Sequence, residues 1–345
     1  MFQDISLEEL RELKNKKRIT VIDVRSPSEY KDATLPESLN IPFFDDAERA
    51  EVGTLYKQTS VQAAKERGLE IAAAKLPTFV KQFADIEGDK AVFCWRGGMR
   101  SRTTATVLSL MDIHAYRLIG GYKAYRKWVL DGLENYEFKP KSYVIHGNTG
   151  TGKTELLHRL KAKGHPVLDL EGMAGHRGSI FGQIGLHANN QKTFDSLLFE
   201  ELILLEDSPY VLFEAESKKI GKVVMPEFLA EQKERGTQIW IEMPMQARVQ
   251  QILKDYRPKE YKEECISAFR RIKSRIHIPI AAEIERCLQE ELFEEAVALL
   301  LEYYYDPKYN YTSTQYDDIE KVTFTVNNLD EAEAAVCSFL KDQNV

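Results

Sequence analysis

Short apolar runs, each closed by a charged residue or a glycine, recur along this chain with longer amphipathic stretches between them. That alternation predicts an α/β protein. Ile19–Arg25, Leu39–Pro42 and Ala91–Phe93 read as extended segments, and the last ends at Cys94 ahead of a helix expected over Thr103–Met111. Ser6-Leu-Glu-Glu9 is a capping box for a first helix, Ser26–Tyr30 starts a second, and an alanine-rich stretch reads as helix to near Gly68. Tyr116–Tyr122 gives a strand and turn, followed by a helix carrying Trp128. The polar, aperiodic stretch 136–141, with Pro140, separates this domain (1–135) from a second (142–345). There Ser142–His146, Val167–Asp169, Tyr210–Glu214, Gln238–Pro244 and Val322–Val326 read as strands, and 246–303 as a basic helical segment.

At 345 residues and 43% hydrophobic composition, the chain can form two cores. It has no apolar run long enough to cross a bilayer and no signal-peptide pattern, and its four cysteines are scattered, so a reducing cytoplasmic setting is expected. A net charge of −7 argues against generic nucleic-acid affinity and leaves room for a focused basic surface.

Two stretches carry chemistry. In the first, Cys94 is followed by Trp95, Arg96, Gly97, Gly98, Met99 and Arg100. Adjacent glycines at a strand-to-helix turn let backbone N–H groups face inward, while the helix terminus and three nearby arginines (Arg96, Arg100, Arg102) favour a thiolate and an anion beside it. Cys94 has no Cys or His at metal-ligand spacing, so zinc is not expected. Asp23 and Arg25 read as an internal ion pair bracing this loop. The excursion from Asp45 to Lys75, with Gly53 allowing a close approach, reads as either a sheet cover or a substrate lid.

The second stretch, Gly147-Asn148-Thr149-Gly150-Thr151-Gly152-Lys153-Thr154, fits G-x-x-x-x-G-K-[ST] between a strand and a helix and is a P-loop for a di- or triphosphate. Thr154, which could hold Mg²⁺, and Glu214, the acid ending an apolar strand, are the candidate metal partners, a strand end in solvent being the alternative for Glu214. Asp169, Glu171, His176, Arg177 and Ser179 fall on a strand end and glycine-rich loop, where ligand contact competes with a solvated connector. From Arg248 to Arg275 nine Lys or Arg stand against four Asp or Glu, with aromatics interleaved. Arg270, Arg271, Lys273 and Arg275, with Lys123, Arg126 and Lys127, are therefore candidate RNA contacts, a solvated helix face being the alternative.

The Cys94 loop resembles a rhodanese active site, one residue longer between Cys and Arg, which leaves phosphate-ester chemistry open on loop length alone. Together with Glu51–Tyr56, the P-loop, Asp169–Gly172, His176–Ser179 and Tyr304–Pro307 in that order, the chain resembles the tRNA 2-selenouridine synthases. Ala215 stands where that pattern carries an acid, and Met173-Ala-Gly175 varies its glycine-rich loop.

The resemblance implies a rhodanese-like domain joined to a P-loop NTPase-like parallel-sheet domain with a helical extension. It implies conversion of wobble 2-thiouridine in tRNA to 2-selenouridine through an S-geranyl intermediate, with geranyl diphosphate and selenophosphate as co-substrates and no tightly bound cofactor. Cys94 and its loop would then handle selenophosphate, and Gly147–Thr154 the diphosphate. An anticodon stem-loop would be the partner, with a selenophosphate supplier a further one. Two alternatives remain at this point: a nucleotide-dependent kinase or ATPase fused to a sulfur carrier, and a phosphate-sensing scaffold without catalysis.

Overall fold

A computed structural model describes residues 2–16, 18–308 and 320–343. The chain divides into two compact units, residues 1–135 with 195–197, and residues 136–194 with 198–345. Both are α/β, and both five-stranded sheets are parallel throughout.

The first unit contains β1 (Gln3–Ile5), α1 (Leu7–Asn15), β2 (Ile19–Asp23), α2 (Pro27–Asp32), β3 (Leu39–Asn40), α3 (Asp46–Gln58), α4 (Val61–Ala84), β4 (Asp89–Phe93), α5 (Met99–Leu110), β5 (Ala115–Leu118) and α6 (Gly121–Glu134). Its strand order is β1-β5-β4-β2-β3. The Ser6 capping box forms as expected, Ser6 Oγ accepting from Glu9 N and Glu9 Oε2 from Ser6 N. The register sets Asp23 opposite Phe93, so the carboxyl end of β2 lies beside the loop that carries Cys94.

Three expectations change here. The helix after Cys94 begins at Met99, not Thr103, which brings Arg100, Ser101 and Arg102 into its first turn. The alanine-rich helix does not stop near Gly68 but runs through Gly68 and Pro77 to Ala84. Gly68 sits in the crossing of the helix over Phe44, where an added Cβ would lie 3.3 Å from the ring, and Phe79, Val80 and Phe83 beyond it anchor the helix on the core. Tertiary packing thus outweighs the local cost of Gly and Pro. Gly53 gives no close backbone approach; it lies inside α3, and its near neighbour is the flexible Arg49 side chain.

The second unit contains β6 (Lys141–Gly147), α7 (Lys153–Ala162), β7 (Val167–Leu168), α8 (Leu170–Ala174), α9 (Gln191–Leu204), β8 (Tyr210–Glu214), β9 (Lys219–Ile220), β10 (Val223–Val224), α10 (Glu227–Arg235), β11 (Thr237–Glu242), α11 (Met245–Tyr256), α12 (Lys262–Arg270), α13 (Ile278–Gln289), α14 (Phe293–Leu300), β12 (Lys321–Thr325) and α15 (Leu329–Asp342). Its main sheet runs β12-β11-β6-β8-β7, and β9 and β10 form a separate antiparallel pair. The expected linker is packed rather than free: Lys141 opens β6, and the Tyr136 and Phe138 rings lie 5.3 and 6.5 Å from Phe228.

The basic segment 246–303 is four α-helices, a 3₁₀ turn and the start of a π-helix, Leu301–Tyr305. Arg257 takes a left-handed conformation (φ 44°) just before Pro258, whose ring and missing N–H end α11 there. These helices bury their own cluster, with Phe269, Ile272, Ile284 and Leu300 at its centre. Tyr309, expected near the end of the helical region, lies outside the described residues.

Candidate active sites

β4 delivers Cys94 to the carboxyl edge of the first sheet. Cys94 is 3% exposed, and its Sγ lies 3.2 Å from Ser101 Oγ in the first turn of α5. Gly98 precedes that helix with no side chain capping it, so the first N–H groups of a twelve-residue helix are left for the loop. The start of α6 closes the turn from the other side, Tyr122 N donating to Cys94 O and Lys123 N to Trp95 O, both at 2.9 Å. That approach requires Gly121: its φ is +56°, and a Cβ there would fall 2.2 Å from Cys94 O.

The brace expected at Asp23 and Arg25 is present. Arg25 Nη2 donates to Asp23 Oδ2 at 2.6 Å and to Ala33 O at 2.6 Å, both charged side chains are buried, and the guanidinium lies 4.3 Å from the Tyr122 ring centroid. Asn40 Nδ2 donates to the carbonyls of Asp23 and Arg25, tying β3 into the same knot. Arg117, which carried no sequence signal, donates to Gly97 O at 3.1 Å while paired with Asp4.

The loop arginines do not act alike. Arg100 pairs with Glu29 at 2.5 and 3.2 Å, whereas Arg96 and Trp95 are exposed at the rim. Burial works against the Glu29 carboxylate, yet hydrogen bonds and charge from Arg100, with Arg49 nearby, hold it below its ordinary range. Arg100 therefore meets an arriving anion only in competition with Glu29. Facing the loop, α3 and α4 enclose a cavity of about 570 Å³ that reaches Cys94, so the excursion walls the site, while Ile71 and Ala72 near its end pack on the sheet core.

In the second unit, the P-loop joins β6 to α7. Lys153 Nζ donates to Gly147 O at 2.9 Å, and Gly152, at φ +70°, precedes the helix. Arg248, counted among the basic residues, is buried beneath this loop: Nε donates to Thr149 O at 2.9 Å, and Nη1 and Nη2 bind Asp306 at 3.0 and 2.6 Å. Asp306 also accepts from Asn148 at 3.4 Å. This clamp escaped sequence reading because its partners stand 58 positions apart.

Thr154 Oγ1 donates to Glu171 Oε2 at 2.5 Å, so its carboxylate neighbour is Glu171 and not Glu214. Glu214 lies behind, fully buried, with Oε1 accepting from Glu171 N at 2.6 Å and Oε2 unpaired among the described residues. Burial first, then repulsion from Glu171 and Asp169, raises the Glu214 carboxyl well above its ordinary range. Burial and the charge of Glu216 push Glu171 up to about 8. At neutral pH the Glu171 carboxyl is therefore mostly protonated.

Asp169 caps α8, accepting from Gly172 N at 2.8 Å, and pairs with His158 at 2.7 Å. His176 Nδ1 is buried without a partner among the described residues, and burial lowers the pKa of its ring. Arg177 and Ser179 do reach the P-loop cavity of about 340 Å³, with Lys153, Thr154 and Glu171. Arg177 stacks 4.9 Å from the Tyr256 ring centroid, and Ser179 Oγ is 3.1 Å from Tyr256 Oη. A narrow apolar slot of about 50 Å³ adjoins this cavity, sharing Thr149, Ser179, Ile252, Tyr256 and Tyr305 with it.

The proposed RNA contacts divide by unit. Lys123 and Lys127 are exposed, while Arg126 pairs with Asp195 at 2.6 Å. Arg270 and Lys273 share Glu285, which reduces their net field, and Arg271 and Arg275 are exposed. Among the described residues no helix is long and apolar enough to cross a membrane, and no group of three or more His, Cys, Asp or Glu is arranged to hold a metal.

A cysteine in an amide-lined turn at the edge of a parallel sheet and a P-loop between strand and helix define a rhodanese-like unit joined to a P-loop unit. The family model for the tRNA 2-selenouridine synthase AAA domain matches residues 140–343, and the rhodanese-like domain model matches residues 6–127. The chain belongs to the tRNA 2-selenouridine synthase family. It is 36% identical over 243 residues to the tRNA 2-selenouridine synthase of Nitrosomonas europaea, an alignment covering 68% of this chain and 63% of that protein. With the synthase of Sulfurovum sp. it is 31% identical over 323 residues, covering 84% and 88%. The chain thus spans under two thirds of the first relative and most of the second.

Proposed function

We propose that this protein is a transferase acting on tRNA, which geranylates the sulfur of a wobble 2-thiouridine and then replaces that sulfur with selenium. Geranyl diphosphate would supply the alkyl group and selenophosphate the selenium. The observation that carries this reading is the junction of the P-loop cavity of about 340 Å³ with the apolar slot of about 50 Å³, which would take the end of a hydrocarbon tail whose body lies in the larger cavity. A prenyl diphosphate has a doubly anionic head and a hydrocarbon tail, and the second unit offers a phosphate cradle opening onto carbon. Past their common mouth, Phe181, Leu288, Phe293, Val297 and Leu300 offer no hydrogen-bonding group, so a purine there would leave its ring nitrogens and amine unpartnered. That disfavours nucleotide turnover as the main activity.

Lys153 would stabilise the departing diphosphate as charge develops on it. Thr154 and, once it has lost its proton, Glu171 would hold Mg²⁺, which when bound would add charge neutralisation. Cys94, within reach of the first chamber, would serve the selenium step. The experiment is to incubate an anticodon stem-loop bearing 2-thiouridine with the protein and geranyl diphosphate, then with selenophosphate, and to identify the nucleosides by mass spectrometry. S-geranyl-2-thiouridine followed by 2-selenouridine is expected; ATP turnover without either product would overturn the reading.

A further inference from the structure

The cavity above Cys94 is too large for the anion assigned to its loop. On this measure one water needs only about 10–15 Å³, so a tetrahedral oxyanion fills a small part of about 570 Å³. Much of the remaining wall is apolar, with Phe44, Val52, Val61 and Leu69 on one side and Trp95 and Met99 on the other. Tyr56, Val61, Leu69, Trp95 and Met99, all around this one opening, make up five of the fifteen large apolar side chains exposed among the described residues; Leu69 is 70% and Tyr56 61% exposed. Concentrating exposed apolar area at one concave place marks a ligand site rather than ordinary surface.

The helix that builds the wall has two halves. From Ile71 to Phe83 its apolar face is packed in the core, whereas Val61 and Leu69 in the preceding turns are left open to the cavity. Lys57, Lys65 and Arg96 contribute to the same lining, so cationic groups accompany the apolar wall. Cys94 lies at its floor.

We infer that this chamber is a second prenyl-chain site, one that takes the geranyl group of the S-alkylated nucleotide while the base is presented to the Cys94 loop. The inference rests on the two-stage reading above and adds where, and by what, the intermediate is recognised. The hydrocarbon enters the chamber, and the RNA phosphates meet Lys57, Lys65 and Arg96. In the exchange the selenium of selenophosphate adds to C2, the C2–S bond breaks with its electron pair leaving on sulfur as geranylthiolate, which takes a proton from water, and water then cleaves the Se–P bond to release inorganic phosphate and leave 2-selenouridine. The chamber makes selenium insertion follow alkylation, because an unalkylated base cannot fill it.

The test uses the full chain, selenophosphate and two synthetic anticodon stem-loops, one carrying S-geranyl- and one S-methyl-2-thiouridine. Hydrocarbon discrimination in apolar sites is worth about tenfold or more per methylene-scale contact. The wild type is expected to convert the S-geranyl RNA with a kcat/KM at least about tenfold above the S-methyl RNA, and Leu69→Asp and Tyr56→Asp to remove most of that preference. Retained S-methyl conversion and retained geranylation from geranyl diphosphate in these variants would show that they fold, and Leu69→Ile should restore the preference. Equal wild-type rates on both RNAs, or a preference unaltered in both Asp variants, would overturn the chamber while leaving the two-stage reading intact. No selenium incorporation from S-geranyl RNA by the wild type would sink the two-stage reading itself, and the chamber with it.

Discussion

The two units solve one backbone problem in the same way and then diverge in side chains. Each ends a central parallel strand in a glycine-bearing turn and starts a helix there, at Cys94–Met99 in one and at Gly147–Lys153 in the other. The first turn encloses a sulfur and is braced by a buried arginine-carboxylate knot. The second holds a lysine and has, behind its threonine, two buried carboxyl groups whose pKa values are raised. Amides and a helix terminus make each turn able to hold an anion, while the side chains that share the turn set what chemistry it could support.

The comparison can be broken most sharply at the sulfur. Cys94→Ala should abolish selenium incorporation and leave geranylation intact by nucleoside mass spectrometry; loss of both would show that the two turns do not divide the work. Next comes the knot. Asp23→Ala leaves Arg25 charged in the interior, and losing one partner of a buried pair costs about 3–5 kcal/mol, to be read as a lower denaturant midpoint for the first unit with the second unchanged. Lys153→Ala should slow geranylation about a hundredfold, the scale for removing one positioned electrostatic group, while pre-geranylated RNA is still selenated normally. Unchanged geranylation kinetics would move the diphosphate elsewhere.

The smallest expected effect sharpens the comparison through pH. Folded Glu171 keeps its proton to about pH 8, whereas its unfolded reference is 4.5, so between these values the folded state binds more protons. The contribution to stability is full below about 4.5 and falls as pH rises through about 8, the reverse of an ordinary salt-bridged carboxylate. Thermal melts without divalent cation should show that fall, and Glu171→Gln should flatten it. An identical slope in the variant would show that the proton resides elsewhere.

What could be read from residues alone was what lies close along the chain. The cysteine turn, the P-loop and the Asp23–Arg25 pair each occupy a short window, so periodicity and spacing exposed them. The Arg248–Asp306 clamp, the raised acids and the wall facing Cys94 were hidden, because each is made by segments that meet only after folding. Arg248 was the instructive case: a local excess of positive charge suggested RNA, yet its guanidinium is buried against Thr149 O and Asp306. Gly68 misled in the opposite direction, since a residue that normally weakens helices was needed for one helix to cross Phe44.

Lys153, bonded to the carbonyl of Gly147, has a further consequence. An arriving phosphate need only exchange one neutral acceptor for a charge-assisted contact. The cation is parked rather than loose, so less ordering entropy is left to subtract from the affinity of an anion taken up there.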